Sequence, residues 1–288
     1  MSEHPPDRDV SSEASGSRAH EIAAYTCHRT AGPFPVDGDL SKPQWQAAPW
    51  SDRFVDMADG TPGYYDTRMA ALWDDENLYV GFRVEEPFVE AHHTRRDAII
   101  FQENDVELFI DGGDCYYELE INARGTVYEV FFIWRDAYTR GSRFDVPEFD
   151  LVERTAFSFA GDYDRSAQSF WWGTHPRGPR WAFLDWDFPG LQVATHVEGT
   201  LNDNTDTDRG WSCEIALPWS GMSWLAGERS IPPEDGDTWR MFFGRFQKLM
   251  NAGSEIQPHP AWTLSPHGTY DTHLPEQFPY VTFSKAHA

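Results

Sequence analysis

The chain has 288 residues, of which 47 are acidic and 23 are basic, so its formal net charge is -24 at pH 7. This balance argues against a nucleic-acid partner, because nucleic-acid binding needs a basic surface that replaces phosphate counterions. Hydrophobic residues at 40% and aromatic residues at 15% can fill a sizeable core, while 3 widely spaced cysteines without a CxxC pair indicate neither a disulfide framework nor a zinc site.

The N-terminal segment, residues 1–20, is rich in Ser, Glu, Pro and Asp and has almost no large apolar side chains. Such a composition cannot repay the entropy of ordering, so it predicts a disordered tail. The segment also lacks the apolar core of a secretory signal, and no apolar run has the length of a membrane-spanning helix. We therefore expect a cytoplasmic protein without a membrane partner; an extracellular location would require a misassigned start.

From Pro35 onwards, short alternating runs are separated by Gly, Pro and Asp turns, which is typical of antiparallel strands and not of βαβ units. The predicted strands are Thr67–Trp73, Leu78–Glu85, Asp105–Asp111, Tyr116–Asn122, Thr126–Trp134, Gln192–Gly199, Trp211–Leu217, Trp239–Gln247 and Tyr280–Ser284. Short helices are predicted at Lys42–Ala47 and Trp219–Leu225. These elements predict an all-β fold, an antiparallel β-sandwich that forms one domain over residues 21–288.

One segment, residues 138–186, lacks sustained alternation but is rich in Phe, Tyr and Trp. Because long irregular connections are uncommon in compact domains, we interpret it as an insertion folded over one end or face of the sandwich. Its aromatic side chains have two open interpretations: they stack on a ligand, or they bury the insertion itself.

Two neighbouring predicted strands share an acidic face. Alternation with period 2 places these polar side chains on it: Asp105, Glu107, Asp111, Glu118, Glu120 and Asn122. If the strands pair through the turn at residues 112–114, four or five carboxylates crowd together, and the face then needs cations, a metal or deep hydration. Arg83 and Arg245 are candidate sources of positive charge.

This acidic face has two interpretations. Carboxylates, Asn and Arg beside an aromatic ring suit a sugar, because ionised groups bind hydroxyls strongly and a ring covers the apolar C–H surface. Alternatively, these acids form the solvated outer face of an antiparallel sheet, where polar side chains are normal.

A second acidic group lies in the segment at residues 200–211. Asn204, Asp206 and Asp208 have the spacing of a calcium loop, but Gly210 comes one residue too late for an EF-hand and Ile215 stands where its bidentate Glu should be. Asp203, Asp206 and Asp208 are nevertheless weak candidates for calcium ligands. A hairpin turn held by Asx hydrogen bonds is the other interpretation. Whether the chain binds calcium stays open.

An ordered series of motifs resembles the family 9 carbohydrate-binding module, in the DOMON-like superfamily, from about residue 35 to residue 284. The motifs are VDGDL with PQW from Val36, LWDDENLYV from Leu72, NDVELFID from Asn104, YYELEIN from Tyr116, and GW with EIALPW from Gly210. The resemblance implies a jelly-roll β-sandwich that binds mono- or oligosaccharides without catalysis. It also implies a role in carbohydrate catabolism, such as xylan degradation, and structural calcium whose ligands it does not identify.

The resemblance also implies where the sugar binds. In family members, two tryptophans sandwich a terminal sugar, and Trp73 matches the first of them by its Leu-Trp-Asp context. The second ring is expected within residues 262–275, where Trp262, Tyr270 and His273 are the candidates. The groups expected to reach the sugar hydroxyls are Arg83, Glu103, Asp105, Glu118 and Asn122.

Two other functions are open. Paired carboxylates on one face would serve a glycoside hydrolase as acid and base. Alternatively, the chain is a structural or interaction protein that has lost sugar binding, with the insertion plugging the old site. A Trp73 covered by Trp171, Trp172 or Trp181 would favour this last interpretation.

Overall fold

The computed structural model describes residues 21–159 and 175–288. The predicted tail at residues 1–20 and the middle of the predicted insertion lie outside these ranges. Helices are short throughout the described residues: α1 covers Pro43–Ala47 and α2 covers Ser223–Ala226, with 3₁₀ turns at Ile100–Gln102, Pro147–Phe149, Trp219–Gly221 and Pro275–Gln277. No helix in these ranges is long and apolar enough to cross a membrane.

The strands confirm the predicted all-β class. In chain order they are β1 Ala24–Arg29, β2 Val55–Asp56, β3 Thr67–Trp73, β4 Asn77–Glu85, β5 Asp105–Asp111, β6 Cys115–Asn122, β7 Val127–Trp134, β8 Ala156–Phe159, β9 Arg180–Phe183, β10 Gln192–Glu198, β11 Gly210–Pro218, β12 Thr238–Phe246, β13 Met250–Asn251, β14 Ser254–Glu255, β15 Ala261–Thr263 and β16 Tyr280–His287. Each of the nine predicted strands is present, with ends that differ by a few residues at most.

Two layers form the sandwich. The first layer has the strand order β10-β11-β4-β3-β1-β16-β12, and the second continues from β12 through β5-β6-β7-β9-β8. Strand β12 belongs to both layers, because Thr238–Arg240 pairs with β16 while Met241–Phe246 pairs with β5. The sandwich is not purely antiparallel: β1, which alternation did not predict, pairs in parallel with both β16 and β3.

The main core lies between the layers. Val80 and Phe82 from the first layer meet Leu108, Leu119 and other inward side chains of the second layer there. The outer face of the second layer is also covered, by the segments around residues 99–102 and 261–278, and it holds a separate apolar cluster around Phe109 and Phe132. Both faces of the second layer are therefore buried, which a strand pattern with one wet face does not predict.

The outer face of the first layer is covered by the segment that leads into α1. Trp45 packs there against Phe34 and Tyr79 in a small third cluster. The carboxylate of Glu214 on β11 holds this segment in place by accepting hydrogen bonds from its backbone and from Trp45 Nε1, at 2.7 Å for the last. The VDGDL and PQW motifs thus dock the N-terminal segment onto the sheet.

The predicted insertion is less irregular than expected at its described ends. Strands β8 and β9 lie in it and extend the second layer by antiparallel pairing of β9 with β7. Phe149, Phe183 and Trp186 from the same segment are buried in the main core. For these three side chains the interpretation of simple burial is confirmed, whereas Trp171 and Trp172 lie outside the described residues.

Candidate functional site

A cavity of about 400 Å³ opens on the covered face of the second layer. We call it the aromatic pocket, and its lining residues are Phe101, Gln102, Phe246, Gln257, Pro258, His259 and Tyr270. Its volume lies within the range typical of small-molecule sites, which are concave, largely apolar and equipped with a few polar groups. Three connections build it, since Phe101 follows β4, residues 257–259 follow the β13–β14 hairpin, and Tyr270 follows β15.

The two principal rings of the aromatic pocket are supported from below. Phe101 lies in the 3₁₀ turn before β5, and its ring meets Tyr128 edge-on with centroids 5.7 Å apart. Tyr270 meets Phe246 edge-on at 5.9 Å, and its hydroxyl donates to the carbonyl of His259 at 2.6 Å. Both rings are partly exposed, so they are positioned by the fold and still present surface to the pocket.

Polar groups stand beside these rings. Gln102 and Gln257 are exposed amides, each with two donors and an acceptor. His259, which also lines the pocket, is half-buried. The Gln257 amide and the His259 ring both contact Glu255 Oε1, and the hydrogen bond with His259 lowers the pKa of Glu255. The pocket therefore combines aromatic surface with side chains that can donate and accept hydrogen bonds.

The predicted acidic face lies deeper in the same region. We call Asp105, Glu107, Glu118 and Glu120 the acid cluster. In the register of β5 and β6, Glu107 faces Glu120 directly and Glu118 faces Phe109. All four side chains are buried, with at most 5% of each residue exposed. The interpretation as a solvated outer face is therefore wrong, because the segments around residues 99–102 and 261–278 cover it.

Burial dominates the titration of the acid cluster. It raises the pKa of Glu118 to about 7 and the pKa values of Asp105, Glu107 and Glu120 well above their usual range, with mutual repulsion adding to the effect for the latter three. Burial raises the pKa of the Tyr270 hydroxyl, and the charges of Glu107 and Asp105 add to that effect. The acid cluster therefore lies close to the aromatic pocket.

We expect the acid cluster to make folding pH-dependent in metal-free buffer. Because the pKa values are raised in the folded state, the folded chain binds more protons than the unfolded chain above about pH 4.5, and stability falls as pH rises. Each strongly shifted carboxyl should cost about 2 kcal/mol between pH 5.5 and 7.5. Urea unfolding of the wild type and of Glu107→Gln/Glu120→Gln at both pH values measures this.

The double variant is the informative reference, since the pH dependence of groups distant from the acid cluster cancels in the comparison. Its stability should fall less between pH 5.5 and 7.5 than that of the wild type. Equal pH dependence of the two proteins would contradict raised pKa values at Glu107 and Glu120.

Both tryptophans predicted to stack on a sugar are core residues. Trp73 is completely buried; its Nε1 donates to the Ser284 carbonyl at 3.0 Å, and its ring meets Phe283 edge-on. Trp262 is buried on β15, edge-on to Tyr65. The expectation that Trp73 forms a stacking surface is therefore wrong for this structure. Among the described residues, the rings packed against Trp73 are those of Trp219 and Phe283 from the core, and Trp181 of the insertion is not one of them.

Glu103 and Asn122 hold turns together. Glu103 accepts hydrogen bonds from the backbone N–H groups of His92 and His93 and from Asn122 Nδ2, the last at 2.6 Å. Asn122 Oδ1 accepts from the N–H groups of Arg124 and Thr126. Because these oxygens already serve the backbone, the structure does not present the two side chains to a ligand, contrary to expectation.

His273 and Arg83 lie apart from the aromatic pocket lining. His273 is buried among aromatic rings, its Nδ1 lies 3.0 Å from the Tyr116 hydroxyl, and burial lowers its pKa well below the usual range. The Arg83 guanidinium lies 3.8 Å from the centroid of Trp50, in a different cavity of about 570 Å³ on the first layer. Of the predicted site residues, Tyr270 alone lines the aromatic pocket.

Arg245, the other predicted source of positive charge, is buried inside the sandwich. It alternates with Phe246 on β12 and pairs with the buried carboxylate of Glu86 at 3.5 Å. Its NH1 also donates to Thr67 Oγ1 at 2.9 Å. The guanidinium thus forms its ion pair with Glu86, and its charge also counteracts the rise in the pKa of Asp105.

The three candidate calcium ligands belong to a hydrogen-bonded turn. Asp208 accepts from the N–H groups of Thr200 and Val89, and Asp203 accepts from the N–H of Thr205. Asp206 accepts from the Thr200 hydroxyl at 3.2 Å. Within the described ranges these carboxylates do not converge on a common ligand position, which agrees with the Asx-turn interpretation.

Comparison with known proteins identifies part of the chain. Residues 36–131 match the family model described as carbohydrate family 9 binding domain-like. Over this range the chain is similar to that family. The family 9 segment runs from the docked N-terminal motifs into β7, and it includes Phe101, Gln102 and the whole acid cluster. Tyr270 and residues 257–259 lie outside it.

Three solved structures are similar to this chain at low sequence identity. A candidate carbohydrate-binding protein from Bacteroides uniformis is 14% identical with a TM-score of 0.55, and the match covers 92% of this chain and 100% of that one. A family 9 carbohydrate-binding module from Caldicellulosiruptor kristjanssonii is 11% identical in complex with cellotriose (TM-score 0.48, covering 90% and 94%) and 12% identical in complex with glucose (TM-score 0.49, covering 90% and 96%). No protein with a curated description matches the sequence.

Sequence reasoning missed most of the aromatic pocket lining. Phe101 and Gln102 precede the family 9 motif at residues 104–111. Phe101 was not predicted because the stacking rings were expected to be tryptophans. Residues 257–259 offer no local pattern, because a Gln-Pro-His run in a connection is common. Only the chain path of the connections brings these residues together.

Proposed function

We propose that the chain binds a mono- or oligosaccharide in the aromatic pocket and does not cleave it. The observation that carries this proposal is the pairing of two supported, partly exposed rings, Phe101 and Tyr270, with the polar side chains of Gln102, Gln257 and His259 in one cavity. A sugar needs both kinds of contact, since its C–H faces pack on aromatic rings and its hydroxyls need donors and acceptors. The similarity of residues 36–131 to a carbohydrate-binding family supports the same ligand class.

The hydrolase alternative has weaker support. A glycosidase needs two carboxyl groups that face the scissile bond, about 5–5.5 Å apart or about 6.5–9.5 Å apart. The carboxylates that sequence reasoning offered for this role form the acid cluster, which lines neither the aromatic pocket nor the cavity around Arg83. Buried side chains that do not reach the ligand cannot act as its acid and base.

Calorimetric titration tests the proposal with glucose, xylose, cellotriose and xylotriose as ligands. We expect the wild type to bind at least one of them, and Phe101→Ala or Tyr270→Ala to weaken that affinity about tenfold or more, because each ring contributes roughly 1 kcal/mol or more beyond its buried area. The xylose arms also test the expected link to xylan.

Tyr64→Ala is the matched control. Tyr64 is an exposed aromatic residue, 69% accessible, that lines a separate cavity of about 760 Å³. This variant should keep the wild-type affinity. Absence of binding at millimolar concentration by folded wild type would overturn the proposal, and loss of affinity in Tyr64→Ala alone would move the site to the other cavity.

A further inference from the structure

Among the described residues, the positive charge that acts on the acid cluster is that of Arg245, which affects Asp105 without forming an ion pair with it. Glu107 and Glu120 are directly opposite each other on β5 and β6, and Asp105 precedes Glu107 by two residues on the same face. Like charges in opposite positions of an antiparallel pair are destabilising. Across β12 the neighbour of Glu107 is Gly244, which has no side chain to offer. The nearest guanidinium on that strand, Arg245, pairs with Glu86 on the other face.

Several oxygens of the acid cluster also lack hydrogen bonds. Asp105 Oδ2, Glu107 Oε2 and Glu120 Oε2 are inaccessible to solvent and have no hydrogen-bond partner among the described residues. Leaving a buried polar atom unpaired costs roughly 1–3 kcal/mol, and more when the group is charged. Three such oxygens in one place therefore indicate a missing positive partner.

The spacing of the carboxylates fits a metal ion. Asp105, Glu107 and Glu120 each offer an oxygen, and these three atoms lie within 4.8 Å of one another. Oxygens bound to one Ca²⁺ lie about 2.3–2.6 Å from the ion, so two of them can be at most about 5 Å apart. The three atoms can thus share one ion without rearrangement of the strands.

We propose that Asp105, Glu107 and Glu120 bind a divalent cation beneath the aromatic pocket. The donor set contains carboxylate oxygens and neither His nor Cys, which selects a hard ion such as Ca²⁺ or Mg²⁺ over Zn²⁺ or Cu²⁺. Glu118 lies on the same face of β6 and adds negative charge next to the site. The ion would join β5 to β6 at the middle of the second layer.

Shared protons are the competing explanation. Protons can satisfy all three unpaired oxygens only if more than one is bound, and one of them would lie between Glu118 and Glu120, whose side chains are hydrogen-bonded to each other. A single cation can contact one oxygen from each of the three carboxylates at once, and it also removes the repulsion between Glu107 and Glu120. The geometry therefore favours the cation.

Refolding with and without metal tests the proposal. The full chain is unfolded in urea with EDTA, freed of chelator, and refolded in buffer with Ca²⁺, with Mg²⁺ or with neither; metal content after dialysis and Tm are then measured. We expect about one tightly held ion per chain and a higher Tm in at least one metal arm. A stoichiometry near zero in both arms, with the chain folded, would overturn the proposal.

Isosteric variants locate the ion. Glu107→Gln/Glu120→Gln keeps the shape of the site and removes two charges, so metal affinity should fall about 100-fold or more; if this variant does not fold, Glu120→Gln alone should lose about tenfold. Asp203→Asn/Asp206→Asn, in the acidic turn, should bind like the wild type. Loss of metal in the turn variant alone would place the ion elsewhere and overturn the assignment.

The outcome is separable from saccharide binding. Phe101→Ala removes a pocket ring and leaves all three proposed ligands, so it should retain the ion. Retained metal in Phe101→Ala with no saccharide binding by the wild type would support the cation site and reject only the proposed function.

Discussion

Replacing Trp73 with alanine is expected to lower the free energy of unfolding by about 3–5 kcal/mol and to leave saccharide affinity unchanged. The indole is fully buried between the layers, meets Trp219 and Phe283 edge-on, and donates to the Ser284 carbonyl at 3.0 Å. Truncation therefore leaves a large cavity and an unpaired carbonyl. Urea unfolding measures the stability, and saccharide titration below the transition measures the affinity.

Trp73→Phe controls for unfolding of the alanine variant. It retains an aromatic ring and loses the indole N–H, so its stability should fall by less than that of Trp73→Ala. The folded phenylalanine variant should bind the saccharide as the wild type does. A tenfold weaker affinity in a folded Trp73→Phe protein would return Trp73 to the binding site and contradict its assignment to the core.

Replacing Glu214 with alanine is expected to cost about 3–5 kcal/mol of stability, because it removes a buried charge that several donors share. Its carboxylate accepts from the N–H groups of Asp37 and Gly38 at 2.8 and 2.9 Å, from Trp45 Nε1 at 2.7 Å and from Lys42 Nζ at 2.7 Å. Without it these groups lose their partner, and the N-terminal segment should detach from the first layer. Urea unfolding and protease sensitivity around residue 37 report both effects.

Glu214→Gln separates shape from charge. The amide fills the same volume and can still accept hydrogen bonds, but it cannot pair with the Lys42 ammonium, so about 1–3 kcal/mol should be lost. Gly38 explains why the segment has little room to adapt: its φ is +83°, and an added Cβ would lie 2.6 Å from the Thr195 carbonyl carbon. A Glu214→Ala protein as stable as the wild type would show that the carboxylate does not hold the segment.

The strands could be located in the sequence because apolar and polar residues alternate along a strand with a fixed period of 2. Strands such as Thr67–Trp73 and Asp105–Asp111 have the predicted bounds, since Gly, Asp and Asn residues end each apolar run. Strand β1 was missed because its parallel partners β3 and β16 are remote in sequence. Strands β8 and β9 were missed because each has only four residues, too few to show a period.

The site was less readable, because local alternation reports which side of a strand a residue occupies and not what covers that side. The acid cluster was assigned correctly to one face, but its burial depends on connections far along the chain. The context of Trp73 matched a family motif, yet its exposure depends on Phe283 and Trp219, which no local pattern connects to it. Tyr270 was found because the resemblance pointed to residues 262–275.

The walls of the aromatic pocket come from connections, whereas the strands beneath them carry the fold. Phe101, His259 and Tyr270 can each change without altering the pairing of β5, β6 or β12. Ligand preference can therefore diverge between related chains while the sandwich persists, because new connections can be grafted onto the same scaffold. The separation of pocket residues from strand residues is consistent with the similarity of this chain to the Bacteroides uniformis protein, which has a related fold at only 14% sequence identity.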